Sequence, residues 1–226
     1  MAGAVQYLET LIHGLGARQA ARSPTRLELL AVVVGAGLIY GAFMGSFSAS
    51  SFSRALLIAY VALKVPLLIA VTSLICLPGF FTLNAALNLQ AEFPQALRAI
   101  AAAQASLTLA LASLGPITAV FYASGISHGA ALMLNAGFFS VATLIGHAVM
   151  RRGYASLIAH PERGARHRAM LWTWSVLYAF VGMQTGWMLR PFIGNPDLPV
   201  SFFRPEPFTN AYVAIFDLFS DSLQSR

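Results

Sequence analysis

Lys64 is the single lysine of this chain, and nothing else between Ala55 and Leu77 is charged. An ammonium at that depth in an apolar run costs roughly 2.5–3.5 kcal/mol on insertion scales, so such a residue points to a task. It could line an anion or substrate path, or it could pair with an acidic group on another helix or another subunit. The spans themselves hold no internal carboxylate, since Glu28 stands at a helix entrance and the other acids fall in loops or terminal segments. A second reading lets Pro66 mark the true helix start, so that Lys64 snorkels to the interface along its own stem. Arg54, ten residues earlier, would put Lys64 about 15 Å into a helix that began there. Both readings stand at this stage.

Other residues with chemical potential are uncharged. Gln104, Ser106, Thr108, Ser113, Asn135, Thr143, Gln184 and Thr185 all fall within apolar segments. Such groups generally hydrogen-bond across membrane helices, each contributing about 0.6–2 kcal/mol. Gln104, Asn135 and Gln184 have the most to offer a polar cavity or path. His128 and His147 would stand about 28 Å apart along one helix and cannot share a metal or haem. His160 and His167 sit among arginines, a poor setting for a cation. Ser127 and His128 adjoin, but no nucleophile elbow surrounds them. Cys76 is the only cysteine, which excludes an internal disulfide framework and a cysteine-based metal site. These residues form no recognisable catalytic set, so enzyme readings are weak, and neither metal nor cofactor is expected.

The elements that must position them follow from composition. Hydrophobic residues make up 58% of the chain and charged residues only 10%, far below the soluble average of about 25% charged. An all-α, polytopic membrane helix bundle is expected. A span needs about 20 mostly apolar residues. Five such segments read as Glu28–Phe47, Ala55–Leu77, Leu97–Tyr122, Ala130–Met150 and Ala169–Leu189. Pro78-Gly79 reads as a turn after the second span, followed by a short surface helix, Phe80–Ala91, with Asn84 and Asn88 on its wet face. Pro94 suits the first turn of the third span, and Gly115-Pro116 should kink that span. Trp172, Trp174 and Trp187 bracket the fifth as interfacial aromatics.

The chain divides into an amphipathic N-terminal segment (1–26), the membrane domain (27–190) and a Pro- and aromatic-rich segment (191–226). Met1–Gly16 and Asn210–Leu223 both read as interfacial amphipathic helices. Nine arginines fall on the N-terminal side of the membrane and four on the other, which predicts a cytoplasmic N-terminus and a periplasmic C-terminus. The net charge of +6 is therefore mainly a topology signal. Arg151 and Arg152, with the arginines that follow, also suit anionic lipid headgroups; a bound lipid fits the pattern, whereas no nucleic-acid platform is present.

Gly37, Gly41 and Gly45 make one smooth helix stripe, on which a partner helix of this chain or of a neighbour can pack closely. Beyond the last span, Arg190, Pro191, Phe192 and Arg204 belong to a stiff segment that reads either as a surface for a partner or the outer leaflet, or as a lid on the protein's own spans. The run Trp187-Met-Leu-Arg-Pro-Phe-Ile-Gly194, with Leu63-Lys-Val-Pro-Leu-Leu68 and Cys76-Leu-Pro-Gly-Phe-Phe-Thr-Leu-Asn84, resembles a group of bacterial multi-pass membrane proteins of no settled activity. That resemblance implies a shared fold and a bacterial inner membrane only. The overall expectation is a structural or assembly subunit of a larger inner-membrane complex, in contact with lipids and with other subunits or itself. The alternative is a small homo-oligomeric transporter or channel component, with Lys64 lining the path.

Overall fold

The computed structural model describes residues 24–47, 52–195, 198–204 and 212–213, and among these the protein is all-helical. Its helices are α1 (Arg26–Gly45), α2 (Phe52–Ala86), α3 (Phe93–Ala123), α4 (His128–Gly153), the four-residue α5 (Ala155–Ile158) and α6 (Gly164–Leu189). The expected amphipathic helices Met1–Gly16 and Asn210–Leu223 lie outside the described residues, apart from the helical pair Tyr212 and Val213.

Four helices, α1 to α4, are long and apolar enough to cross a membrane. Helix α6 is long enough at 26 residues, yet Thr173, Ser175, Gln184 and Thr185 with three tryptophans leave even its uncharged stretch from Ala169 to Leu189 less apolar than the other four. Helix α1 starts on a capping box. The Thr25 N–H donates to Glu28 Oε2 at 2.7 Å, and the Glu28 N–H donates to Thr25 Oγ1 at 3.2 Å, so two end groups are satisfied reciprocally. The Thr-x-x-Glu spacing that announces this start is legible in the sequence.

The second span requires correction. Helix α2 runs without a break through Pro66 and Pro78 to Ala86, so Pro78-Gly79 is not a turn and no separate surface helix follows. A proline inside a membrane helix is tolerated when neighbours reward its continuation. Here Phe80 is fully buried and meets Trp174 edge-on at 5.0 Å. Asn84 is likewise buried, its amide donating to the Phe80 carbonyl, and is not on a wet face. The real end comes at Asn88, whose φ of 56° is left-handed. The Leu89 N–H then reaches the Asn84 carbonyl and the Asn88 N–H the Ala85 carbonyl, the pairing of a Schellman motif, for which asparagine is a usual substitute for glycine. The suggested start at Pro66 is also overturned, because the helix already begins at Phe52.

Close glycine contacts set the packing. Cβ atoms added at Gly37, Gly41 and Gly45 would meet Pro66, Val61–Ala62 and Leu57–Ile58 respectively. Rising numbers on α1 meet falling numbers on α2, an antiparallel pair at backbone contact. Helix α3 lies parallel to α1, with Gly115 making room for the Phe43 ring. Helix α4 runs back along α3 through Gly146 against Ala103 and Gly153 against Ala99, and α6 runs back along α2 through Gly182 against Thr72. The helices stand side by side in the order α4, α3, α1, α2, α6. His147 of α4 meets Ser175 of α6, bringing the ends of the row together.

This topology gives the bundle two ends. The Lys64 end carries the α1–α2 and α3–α4 connections and the chain after α6. The arginine-loop end carries the start of α1, the α2–α3 turn and the α4–α6 connection. One apolar core, around Phe80, Tyr154 and Trp174, fills the arginine-loop end. A second, around Tyr40, Val61 and Ile193, fills the Lys64 end.

Candidate functional site

Lys64 lies one helical turn beyond Tyr60 on α2, so the two share a face. The chain leaving α6 crosses that face. The Arg190–Pro191 peptide bond is cis, and the Pro191 carbonyl accepts a hydrogen bond from Lys64 Nζ at 2.8 Å. Phe202 stands with its ring centroid 4.8 Å from the same nitrogen, and Phe192 stands at 5.9 Å. Phe202 also packs edge-on against Tyr60 at 5.3 Å. Lys64 is left with no solvent exposure.

Magnitudes explain how this ammonium is held without a carboxylate. A hydrogen bond to a charged group contributes about 1.5–3 kcal/mol. A desolvated cation over an aromatic face adds about 2 kcal/mol, and less at the longer distance. Together these match or exceed the roughly 2.5–3.5 kcal/mol cost of placing the charge in an apolar segment. The residues that solve the problem are one carbonyl and two rings from the far end of the sequence.

The same segment and the start of α2 line a partly open cavity of about 150 Å³, with Arg54, Leu57, Pro191, Asn195, Ser201 and Arg204 among its walls; Lys64 is not one of them. Its floor is tight: Gly194 is buried against the Leu57 side chain, where no Cβ fits without displacement. Arg54 reaches the Asn195 carbonyl at 3.4 Å. Arg190 stacks its guanidinium 3.6 Å from the Trp187 ring centroid and feels the charge of Arg204.

The polar residues singled out in the spans do not gather around Lys64. Asn135 on α4 accepts from the Tyr40 hydroxyl at 2.8 Å, and its amide donates to the Tyr122 oxygen and the Ala131 carbonyl, each at 2.8 Å. It ties α1, α3 and α4 together. Gln104 donates to Ser73 Oγ on α2 at 2.6 Å, and the Tyr178 hydroxyl of α6 reaches the same serine. Gln184 is half-buried on α6, and Arg151 and Arg152 are exposed in the last turns of α4, where cations complement the helix dipole. Tyr40, Tyr122, Ser73 and Tyr178 were not anticipated as partners. Only helix-face arithmetic across two helices could have found them, and that needs the helix order.

At the arginine-loop end, Arg163 forms an ion pair with Glu92, linking the α2–α3 turn to the start of α6. Burial works to raise the Glu92 carboxyl, but the Arg163 hydrogen bond and the charges of Arg163 and His167 prevail and hold it below its ordinary value. Burial pushes His167 below its ordinary value, against the pull of Glu92 and with the help of His160 and Arg163. Among the described residues, no three His, Cys, Asp or Glu side chains gather as a metal site requires.

Among the described residues, fold and site together define a helical bundle with four helices long and apolar enough to cross a membrane, in which a fully buried lysine holds the segment that follows α6. No protein-family model matches the chain, and neither the curated proteins nor the solved structures hold a match to it.

Proposed function

We propose that the protein is a structural or assembly subunit of a larger complex in a bacterial inner membrane. In this reading α6 is a fifth span, the N-terminus is cytoplasmic and the Lys64 end faces the periplasm. The observation that carries it is the commitment of polar groups within the helices to partners in this chain. Lys64 is turned to Pro191 and two rings, Asn135 to Tyr40 and Tyr122, and Gln104 to Ser73. A transport path needs polar groups that face water or substrate, whereas Asn135 and Gln104 brace helix against helix and Lys64 holds the chain after α6. The segregation of arginines supports the orientation, with Arg98, Arg151, Arg152, Arg163, Arg166 and Arg168 at one end and Arg54, Arg190 and Arg204 at the other.

Purification in a gentle detergent tests the role. A stoichiometric set of unrelated proteins is expected to accompany the chain. A homo-oligomer alone, with Lys64 open to water-soluble amine reagents, would sink the subunit reading in favour of a channel or transporter component. Reporters fused at Gly153 and after Arg226 test the orientation, and activity on the same side for both would refute it.

A further inference from the structure

We propose that the arginine-loop end of α1, α3 and α4 holds the phosphate of an anionic lipid headgroup, in a site made by Arg26, Arg98 and Arg152. The inference does not rest on the subunit reading. On α1, Arg26 precedes Leu29 by three residues and Val33 by seven, so all three share a helix face. Leu29 and Val33 are buried and share one core with Ala101, Ala102 and Ala105 of α3. Arg98 in turn precedes Ala101 by three residues and Ala105 by seven, which puts it on the face of α3 that meets α1. The two helices run parallel with Phe43 at the level of Gly115, and the same register carries Arg26 level with Arg98.

Helix α4 supplies the third guanidinium. A Cβ added at Gly153 would lie 2.7 Å from that of Ala99, so α3 and α4 touch there, and Arg98 and Arg152 each stand one residue before the contact. In antiparallel helices that backward step turns both side chains to the same side of the seam, here the side of α3 that faces α1. Three arginines from three helices therefore ring one spot at the end of the bundle. All three are exposed, and among the described residues none has an ion pair or a hydrogen bond through its side chain. The described acids nearest in sequence are engaged elsewhere. Glu28 lies about 200° around α1 from Arg26 and accepts from the Thr25 N–H, and Glu92 is paired with Arg163. Glu9, the one acid before Arg26 in the chain, lies outside the described residues.

Like charges gathered without a counter-charge repel, and an anion among them turns that repulsion into attraction. Guanidinium suits phosphate in particular because its planar fork presents paired donors to two oxygens. Depth selects a lipid over a soluble anion. Arg26 and Arg98 stand in the first two turns of α1 and α3, and Arg152 stands in the last turn of α4. Those helices are long and apolar enough to cross a membrane, and the ends of such spans meet the bilayer at headgroup level. Apolar surface for the acyl chains adjoins the arginines: Leu27 and Leu30 are exposed beside Arg26, and Ile145 is exposed two turns along the face of α4 that carries Arg152.

The test uses the full chain in a neutral detergent and reads thermal unfolding as phosphatidylglycerol is added. Phosphatidylcholine is the lipid of no net charge, and inorganic phosphate is the soluble anion. A saturable rise in Tm is expected with phosphatidylglycerol, larger than with phosphatidylcholine and absent with inorganic phosphate at the same concentrations. The double variant Arg98→Gln/Arg152→Gln should need about tenfold or more phosphatidylglycerol for half the rise, as for a lost charge-assisted hydrogen bond. Arg166→Gln/Arg168→Gln removes the same charge from the same end of the bundle and should respond as the parent does. In the unmodified protein, phosphatidylglycerol should also shield Arg26, Arg98 and Arg152 from phenylglyoxal while Arg166 and Arg168 stay reactive, which keeps the test decisive if the first double variant does not fold. Equal rises with the two lipids, a matching rise with inorganic phosphate, indistinguishable double variants, or unshielded Arg26, Arg98 and Arg152 would overturn the proposal.

Discussion

Replacing Lys64 by methionine keeps most of the side-chain length and removes two opposing contributions together. The variant no longer bears the cost of a charge in an apolar segment, and it no longer donates to Pro191 or sits beside Phe192 and Phe202. The first change relieves α2, while the second releases only the chain after α6. Global stability should therefore move little, with Tm held within a few degrees. Protection of the amides of residues 192–195 and 200–204 against hydrogen exchange should fall about tenfold or more, in line with a charged hydrogen bond of about 1.5–3 kcal/mol. Unchanged protection there would show that Lys64 is not the clamp. The sequence marked Lys64 as costly and in need of a partner, but the partner in the fold is not a carboxylate. A backbone carbonyl and aromatic faces have no address in a motif.

Among the helices, α1 and α2 offer the most direct test. Gly41 leaves no room for a methyl group, since an added Cβ would lie 2.6 Å from Ala62 Cα and nearer still to the Val61 carbonyl. Both obstacles are backbone, so the helices themselves must part. Gly41→Ala should destabilise by about 1–3 kcal/mol, the usual cost of overpacking, and lower Tm accordingly. Gly35→Ala is the control, because nothing lies within 4 Å of its added Cβ and alanine is the better helix former by about 1 kcal/mol. If both variants melt alike, close approach is not what the stripe provides. The four-residue spacing was legible as a packing face, and its antiparallel partner within the chain was not. Pro78 misled for a related reason: its local preference for a turn is genuine, yet burial of Phe80 and Asn84 outweighs it.

Across the whole molecule, charge is sorted to the two ends, and the described groups that make the fold acid-sensitive meet at the arginine-loop end. His167 titrates below its ordinary value in the fold, so an unfolded chain takes up a proton first as pH falls through about 6.5. Stability is thus full above that pH and lost as pH falls toward the folded value. Glu92 is also held below its ordinary value; its contribution is present above the unfolded carboxylate range and disappears as pH falls through the folded pKa. Tm should decline on acidification from pH 7 to 5, then further through the carboxylate range. His167→Gln should flatten the first part of that decline, and an unaltered slope would exclude His167 as its source. This pairing of the α2–α3 turn with α6 could not be read from Glu92 and Arg163 alone, which stand far apart in the chain.

The sequence by itself determined the all-helical membrane class, because a 58% hydrophobic chain with apolar runs of span length leaves the backbone little choice but to satisfy its own hydrogen bonds. It also determined the small-residue face of α1, the start of α3 at Phe93-Pro94 and the oddity of Lys64, all of which depend on spacing along one helix. Only the tertiary structure decided that α2 continues to Ala86, that Asn135 braces against Tyr40 and Tyr122 and Gln104 against Ser73, and that Lys64 is answered by Pro191, Phe192 and Phe202. Those outcomes turn on which helix lies beside which. Periodicity tells a helix where its faces are, but the energy that overrides a proline or shelters an ammonium comes from the neighbour that covers the face.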